Sequence, residues 1–129
     1  MTHSNSTKLL VIDDDKAVLR VLVKILFKYG YDADTAETGT EGMRKIESVK
    51  YDLVLTDIKM PGISGTEVAN EIKQIKGNRF PVIGISGTPW LGKNTLLDEV
   101  LIKPFFIKEL MNMIKKYHPV PDKTLLKKE

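Results

Sequence analysis

The sequence predicts an α/β fold: a single doubly wound parallel sheet of five strands with helices on both faces. Short apolar runs alternate along the chain with stretches of helical periodicity, an order typical of a parallel sheet. Several runs are continuous Val, Ile and Leu, as expected when helices bury both faces of a sheet. The 129 residues, 42% of them hydrophobic, suit one domain with one core.

The predicted strands are short apolar or β-prone runs bounded by polar residues. Asp13 follows the first run directly, Asp57 follows the third run after Thr56, and Ser86 follows the fourth run directly. The predicted strands are residues 9–12, 31–36, 53–55, 81–85 and 99–102.

The first helix is predicted from an apolar stripe with the i, i+3, i+4, i+7 spacing of a helix packed against a sheet. Gly30 follows the stripe and marks its C-terminal end. The stripe consists of Val18, Val21, Leu22, Ile25, Leu26 and Tyr29.

Capping patterns and a second stripe place the other helices. Thr38 with Glu41, and Ser64 with Glu67, have the spacing of a capping box, in which each side chain accepts a hydrogen bond from the other residue's backbone N–H. An amphipathic stripe predicts the last helix. The predicted ranges are 39–49, 65–76 and 107–117.

The composition favours a cytoplasmic protein. The chain carries 20 Lys and Arg against 17 Asp and Glu, and it has no cysteine for disulfides. Because the basic residues are scattered along the predicted helices, we interpret them as solvated faces rather than as a nucleic-acid surface. Charge interrupts every apolar run, which disfavours a membrane span. Residues 8–118 are predicted to form the domain, between polar tails at 1–7 and 119–129.

Polar side chains stand at the ends of four predicted strands. Asp13 and Asp14 follow the first strand, Asp57 ends the third, Ser86 ends the fourth and Lys103 follows the fifth. The carboxyl ends of parallel strands meet along one edge of the sheet, at the crevice where strand order reverses. We therefore expect these side chains, distant in sequence, to be neighbours.

This set of side chains predicts phosphoryl transfer to an aspartate. Three carboxylates repel one another unless a cation neutralises them, and Mg²⁺ suits them because it takes oxygen ligands and keeps waters that phosphate oxygens can replace. Lys103 adds an ammonium for a phosphoryl oxygen, and Ser86 adds a hydroxyl donor. A carboxylate nucleophile, a divalent metal and a lysine suffice for this chemistry. Asp57 is the predicted acceptor, giving an acyl phosphate.

Each of these residues also has a purely structural interpretation. Asp13, Asp14 and Asp15 precede the first predicted helix, where an aspartate can cap the free backbone N–H groups and offset the helix dipole. Asp57 fits a turn aspartate, and Lys103 fits a loop lysine. Their joint placement at four strand ends favours the functional interpretation.

The same residues resemble the receiver domain of two-component response regulators over nearly all of residues 8–117. The resemblance rests on Leu-Val-Ile-Asp-Asp-Asp at 10–15, Asp-Ile-Lys-Met-Pro-Gly at 57–62 with Gly65 after it, Ser-Gly at 86–87 and Lys-Pro-Phe at 103–105. It implies the flavodoxin-like strand order 2-1-3-4-5. It also implies a switch in a phosphorelay rather than an enzyme that turns over a substrate.

Carried onto this sequence, the resemblance implies Asp57 as phospho-acceptor and Mg²⁺ as cofactor. The implied metal ligands are Asp13, Asp14, Asp57 and the backbone carbonyl of Lys59. The residues implied to bind or follow the phosphoryl group are Ser86, Gly87 and Lys103, and a cis peptide bond is implied before Pro104. The implied donor is a phosphohistidine on a histidine kinase or histidine phosphotransfer protein, and the implied output is a contact with a downstream protein.

Two departures from the family pattern lie around the fifth strand. Val100 stands three positions before Lys103, where many receivers have an aromatic switch residue. Residues 87–97 are too few for a loop, an average helix and a second loop, so the fourth helix is expected to be short, distorted or absent. We therefore predict that residues 87–97 change most on phosphorylation. Trp90, within this stretch, is interpreted as cover for the sheet.

Three other functions stay open. An aspartate-nucleophile phosphatase would use Asp13 and Asp15, although little chain is left for a cap over its substrate. A flavin carrier would need a first turn rich in hydroxyls and glycine, whereas this turn is acidic. A receiver-like interaction module would never be phosphorylated, and the full set of acidic residues, Ser86 and Lys103 argues against it.

Overall fold

The computed structural model describes residues 7–88, 91 and 95–118. Over these residues the chain forms five strands and four α-helices. The strands are β1 (Thr7–Ile12), β2 (Tyr31–Ala36), β3 (Leu53–Asp57), β4 (Val82–Ser86) and β5 (Glu99–Ile102). The helices are α1 (Lys16–Lys28), α2 (Gly39–Ser48), α3 (Gly65–Lys76) and α4 (Ile107–Tyr117).

The strands form one parallel sheet in the order β2-β1-β3-β4-β5, which confirms the predicted fold class and strand order. Strand order reverses beside β1, so the residues that follow β1 and β3 face the same crevice. The register pairs Ile12 with Thr56, Asp57 with Ile85, and Ser86 with Ile102. The carboxyl ends of these strands therefore meet along one edge.

Helices cover both faces of the sheet, as predicted, because alternate strand residues point to opposite sides. Leu9 and Val11 of β1 pack in one hydrophobic cluster with α1 and α4, while Leu10 and Ile12 pack in the other with α2 and α3. All four of these side chains are at most 1% exposed. The continuous apolar runs in the sequence reflect this burial on both faces.

The predicted apolar stripe of α1 is wrong at two of its positions. Val21 is 56% exposed and Tyr29 is 43% exposed, whereas Leu19, which the stripe omitted, is buried. The buried arc of the helix is formed by Leu19, Leu22 and Leu26, with i, i+3, i+7 spacing. Val21 lies beyond the edge of that arc, where α1 faces the segment after β5.

The connection between β4 and β5 contains no α-helix in its described residues, 87, 88, 91 and 95–98. This confirms that the fourth helix of the family pattern is short or absent. Trp90 and residues 1–6 and 119–129 lie outside the described residues, so the interpretations of these segments stay predictions. Thr7, assigned to the N-terminal tail, is the first residue of β1. Val100 is half-buried in β5.

No helix among the described residues is long and apolar enough to cross a membrane.

Candidate functional site

The first acidic residues of the site follow directly from the end of β1. The backbone N–H of Asp13 donates to the carbonyl of Ala36 at 3.0 Å, which continues the pairing with β2 for one more residue. Asp13 is 3% exposed, and Asp14 beside it is exposed. Asp57, the last residue of β3, is 9% exposed. Two buried carboxylates and one exposed carboxylate thus stand at neighbouring strand ends.

Asp15, the third aspartate of the run, has a different role. Its carboxylate accepts hydrogen bonds from the backbone N–H groups of Ala17 (2.9 Å) and Val18 (3.3 Å) and so caps α1. Its own N–H donates to the Asp13 carboxylate at 2.9 Å. The helix-cap interpretation is therefore confirmed for Asp15, because its carboxylate accepts hydrogen bonds from the first turn of α1. This arrangement weakens the phosphatase alternative, which needed Asp15 for chemistry.

The carboxylates of Asp13, Asp14 and Asp57 come together closely enough to share a cation. One oxygen from each lies within 4.8 Å of the others. This donor set is all oxygen and includes more than the one or two carboxylates that Mg²⁺ requires. The predicted fourth ligand, the carbonyl of Lys59, stays a prediction, but the Lys59 backbone N–H hydrogen-bonds Asp57. The three side chains present fit a hard divalent cation.

Lys103 brings a positive charge to the same place. Its Nζ lies 3.9 Å from Oδ2 of Asp57 and 4.0 Å from Oδ2 of Asp13. Its backbone N–H donates to the carbonyl of Ser86 at 2.9 Å, so the chain after β5 stays paired with the end of β4. The peptide bond between Lys103 and Pro104 is cis.

Burial raises the pKa of the Asp13 and Asp57 carboxyl groups above their ordinary values. For Asp57, the ammonium of Lys103 and the backbone N–H groups of Lys59 and Ile58 act in the opposite direction, while the charge of Asp14 raises the pKa further. For Asp13, the N–H of Asp15 and the ammonium of Lys103 lower the pKa, and Asp57 and Asp14 raise it. The net direction for both groups is upward and burial is its largest cause, so a bound cation would favour their ionised forms.

The Ser86 hydroxyl is engaged in a local turn. It accepts from the N–H of Thr88 at 2.9 Å and donates to the carbonyl of the same residue at 3.2 Å. Ser86 is 3% exposed, and the exposed Gly87 has open space where a side chain would begin. Ser86 is therefore at the predicted edge, with its hydroxyl bonded to the start of the following loop.

Gly65 is a site residue whose role sequence reasoning missed. A Cβ at this position would lie 2.3 Å from the carbonyl oxygen of Asp57 and 2.8 Å from Cα of Ile58. The N–H of Gly65 donates to the carbonyl of Ile58 at 2.9 Å. The first turn of α3 thus packs directly on the backbone that presents Asp57. The glycine directly after the Ser64 cap was the available signal.

An apolar groove of about 760 Å³ opens beside Lys103, between α1 and the start of α4. Its wall on α1 includes Val21, which explains the exposure of this residue. On the other side Ile107 is 42% exposed, and Phe106 nearby is 80% exposed. Other residues lining the groove are Val18, Ile25, Pro104 and Phe105.

Sequence comparison identifies relatives with the same layout. The family described as response regulator receiver domain matches residues 9–115. The transcriptional regulatory protein ResD of Bacillus subtilis is 34% identical over 118 residues, which are 89% of this chain and 49% of ResD. The alkaline phosphatase synthesis transcriptional regulatory protein PhoP of the same organism is 32% identical, over 84% of this chain and 47% of PhoP. The chain spans about half the length of these two relatives.

Solved structures agree with the fold and include a phosphoryl-mimic complex. The response regulator TrrA of Thermotoga maritima, in complex with Mg²⁺-BeF, is 38% identical, covers 86% of this chain and 98% of its own, and superposes with a TM-score of 0.80. TrrA in complex with the histidine kinase ThkA is 37% identical over 87% of this chain and 98% of its own, with a TM-score of 0.77.

Proposed function

Because the chain belongs to the response regulator receiver domain family, we propose that it is a phosphorelay switch in which Asp57 accepts a phosphoryl group from a phosphohistidine. The observation that carries the proposal is the convergence of three strand ends on Asp57. Its carboxylate lies within 4.8 Å of those of Asp13 and Asp14 and 3.9 Å from the ammonium of Lys103. A nucleophile, a divalent-cation site and a phosphoryl-binding cation are therefore side by side.

We assign Mg²⁺ binding to Asp13, Asp14 and Asp57, with the backbone carbonyl of Lys59 as a further ligand. When bound, Mg²⁺ would offset the negative charge of the three carboxylates and of the phosphoryl oxygens. The neighbour TrrA was solved with Mg²⁺-BeF, which supports the assignment. The raised pKa of the Asp13 and Asp57 carboxyl groups also supports it, since a bound cation would favour their ionised forms.

In the transfer step, an oxygen of the Asp57 carboxylate forms a bond to phosphorus as the phosphorus–nitrogen bond of the donor histidine breaks. The electron pair of that bond stays on the imidazole nitrogen, and the product on this chain is an acyl phosphate. Asp57 must be ionised to attack, and Lys103 favours the ionised form because its ammonium lowers the pKa of this carboxyl group. The same ammonium then donates to a phosphoryl oxygen.

The response to phosphorylation begins at Ser86. We propose that its hydroxyl exchanges its bonds with Thr88 for a bond to a phosphoryl oxygen, which releases the Thr88 N–H. Gly87 between them offers backbone freedom for this change. We also propose that residues 87–97 change more than any helix on phosphorylation. Val100, at the position where many receivers have an aromatic switch residue, is aliphatic and half-buried.

We assign a histidine kinase or histidine phosphotransfer protein as the donor, and a downstream protein as the target. The complex of TrrA with ThkA supports the kinase assignment. The apolar groove between α1 and α4 supports a protein partner here, since it borders Lys103 and would seat the donor next to Asp57. The proposal places the switch in the cytoplasm and needs neither nucleic-acid nor membrane contact.

The experiment that tests the proposal is incubation with Mg²⁺ and acetyl phosphate, followed by mass spectrometry after the acyl phosphate has been trapped by reduction. We expect one modified residue, Asp57, and no modification in Asp57→Asn. Modification of Asp13 or Asp15 instead would favour the phosphatase alternative. Absence of modification would favour a receiver-like interaction module that is never phosphorylated. Slow phosphate release from Asp57 agrees with the proposal, in which the domain only phosphorylates and dephosphorylates itself with Mg²⁺. Phosphate release without any trapped acyl phosphate on Asp57 would contradict a regulatory role.

A further inference from the structure

Lys73, near the end of α3, is buried, although the lysines of the helices were interpreted as a solvated face. Its side chain is 3% exposed. Its ammonium donates to the carbonyl of Asn78 (2.9 Å), the carbonyl of Phe80 (2.6 Å) and Oδ2 of Asp98 (2.7 Å). A lysine is rarely buried unless it is paired, and here all three of its donors are used.

Asp98, the partner of Lys73, connects the start of β5 to the start of β4. Its Oδ2 also accepts from the N–H of Val82 at 2.8 Å, and its own N–H donates to the carbonyl of Val82 at 2.9 Å. Its carbonyl accepts from the Tyr117 hydroxyl at 3.3 Å. Asp98 therefore fixes the residue just before β5 against the first residue of β4.

The strand that follows Asp98 is held by four residue pairs with β4 and by the bonds of the Glu99 carboxylate to Lys116 and Tyr117 of α4. β5 has four residues and, among the residues that the structure describes, lies at the edge of the sheet beside β4. Leu101 is its one buried residue. A slip by one residue would move its backbone by about 3.3 Å and exchange the faces of its side chains.

The register of β4 and β5 decides where the phosphoryl contacts lie. Ser86 is paired with Ile102, and Lys103 follows immediately, bonded through its N–H to the carbonyl of Ser86. Asp98 and Lys103 thus stand at opposite ends of the same short strand. A fixed position at Asp98 sets the position of Lys103 relative to Ser86 and Asp57.

We propose that Lys73 and Asp98 are positioning residues for the phosphoryl-binding pair Ser86 and Lys103, because the ion pair between the buried Lys73 ammonium and the partly exposed Asp98 carboxylate locks the register of β5 against β4. This inference rests on the proposed function, since it concerns the residues assigned there to the phosphoryl group. Such a pair suits this role, because separating it would leave the Lys73 ammonium uncompensated and away from water.

The test is a double substitution, Lys73→Met with Asp98→Asn. Methionine fills the space of the lysine stem, and asparagine keeps an oxygen that can accept from the N–H of Val82. The matched control is Lys116→Met with Glu99→Gln, which removes a more exposed ion pair between α4 and the first residue of the same strand. Asp98→Asn alone would leave the buried Lys73 ammonium without its carboxylate and is therefore the harsher change. Lys73→Met alone leaves the partly exposed Asp98 carboxylate its bond from the Val82 N–H, and it decides the matter if the double variant does not fold.

Two measurements separate positioning from a merely structural role. The first is the set of nuclear Overhauser contacts between β4 and β5, such as Gly84 with Val100, which reports register directly. The second is the rate of Asp57 phosphorylation by acetyl phosphate at saturating Mg²⁺, compared with the Mg²⁺ dissociation constant.

We expect altered contacts between β4 and β5 in the double variant, with phosphorylation slower by about 10- to 100-fold, since an error of about 1 Å in placement has effects of this size. The Mg²⁺ dissociation constant should not change, because its ligands lie on β1 and β3. The control should stay within roughly twofold of wild type, as exposed pairs contribute little.

A folded variant with native strand contacts and the wild-type phosphorylation rate would overturn the inference. So would a slower rate with unchanged register, or an equal loss of Mg²⁺ binding. If the wild-type protein itself takes no phosphoryl group, the proposed function fails, and the strand contacts of the variant then decide separately whether Lys73 and Asp98 set the register.

Discussion

The Nζ of Lys103 lies 3.9 Å from Oδ2 of Asp57, although the two residues are 46 positions apart and belong to the ends of different strands. The separation is long for a hydrogen bond and short for two opposite charges. It leaves the ammonium close enough to stabilise the carboxylate and free to donate to a phosphoryl oxygen. This relationship underlies the first prediction.

Replacing Lys103 by alanine should impair the phosphoryl site more than the metal site. The substitution removes the cation that lowers the pKa of Asp57 and removes a donor to the phosphoryl group. We expect the affinity for beryllofluoride in the presence of Mg²⁺ to fall by about tenfold or more, as loss of a preorganised charge does at such sites. Mg²⁺ affinity should be retained, because Lys103 is not a ligand. Equal beryllofluoride affinity in variant and wild type would contradict this role.

Replacing Asp13 by asparagine should stabilise the metal-free protein at neutral pH. Burial raises the pKa of Asp13 and of Asp57 in the folded state, so the folded state binds more protons than the unfolded state just above the ordinary carboxyl pKa. Stability therefore falls as pH rises through the raised values and stays lower at neutral pH. Asparagine keeps the acceptor for the Asp15 N–H and removes one charge.

Thermal unfolding curves with EDTA and with Mg²⁺ test this prediction. The variant should have the higher Tm in EDTA at pH 7, and the difference should shrink toward pH 4. Mg²⁺ should raise the Tm of wild type more than that of the variant. A lower Tm for Asp13→Asn in EDTA at pH 7 would show that charge repulsion at this edge is unimportant.

Replacing Gly65 by alanine should slow phosphorylation through the backbone of Asp57. A Cβ here would lie 2.3 Å from the Asp57 carbonyl oxygen, so α3 or the end of β3 must shift. Overpacking of this kind costs about 1–3 kcal/mol in unfolding free energy. Gly77→Ala at the other end of α3 is the control, because it strains a positive φ of 96° without approaching the site. We expect both variants to be less stable and only Gly65→Ala to be phosphorylated more slowly at a temperature where both are folded.

Phosphorylation should change the hydrogen exchange of the Thr88 amide. In the structure this N–H donates to the Ser86 hydroxyl, which we expect to turn toward the phosphoryl group. Exchange of Thr88 should become faster with beryllofluoride and Mg²⁺, while Leu55 in the middle of β3 should be unaffected. In Ser86→Ala the amide should exchange fast in both states. If the exchange rate of the Thr88 amide is the same with and without beryllofluoride, the turn between Ser86 and Thr88 takes no part in the response to phosphorylation.

The sequence predicted the site because its residues depend on strand ends. Once Leu9 to Ile12 and Leu53 to Leu55 are assigned to parallel strands, Asp13 and Asp57 have to lie near one edge. Lys103 follows by the same reasoning, and its distance to Asp57 agrees with it. Asp15 required the structure, since a carboxylate next to a helix start can cap the helix or bind a cation.

Features that depend on how helices pack against the sheet were not predictable from periodicity. Val21 was assigned to the buried stripe of α1, but it lies at the groove, and its exposure is set by the position of the segment after β5. Lys73 was assigned to a solvated face, yet its side chain is buried and its ammonium is paired with Asp98. A lysine in an amphipathic helix carries no mark of a distant partner, because that partner is fixed by tertiary structure.

Site-resolved mass spectrometry can show whether Asp57 alone accepts the phosphoryl group. Wild type and Asp57→Asn are incubated with acetyl phosphate and Mg²⁺, reduced to trap the acyl phosphate, and digested. Asparagine keeps the size of the side chain and removes the nucleophile. We expect a reduced, formerly phosphorylated Asp57 in wild type, loss of that signal when EDTA replaces Mg²⁺, and no trapped residue in the variant. A trapped residue at Asp13, or equal labelling of the variant, would contradict this expectation.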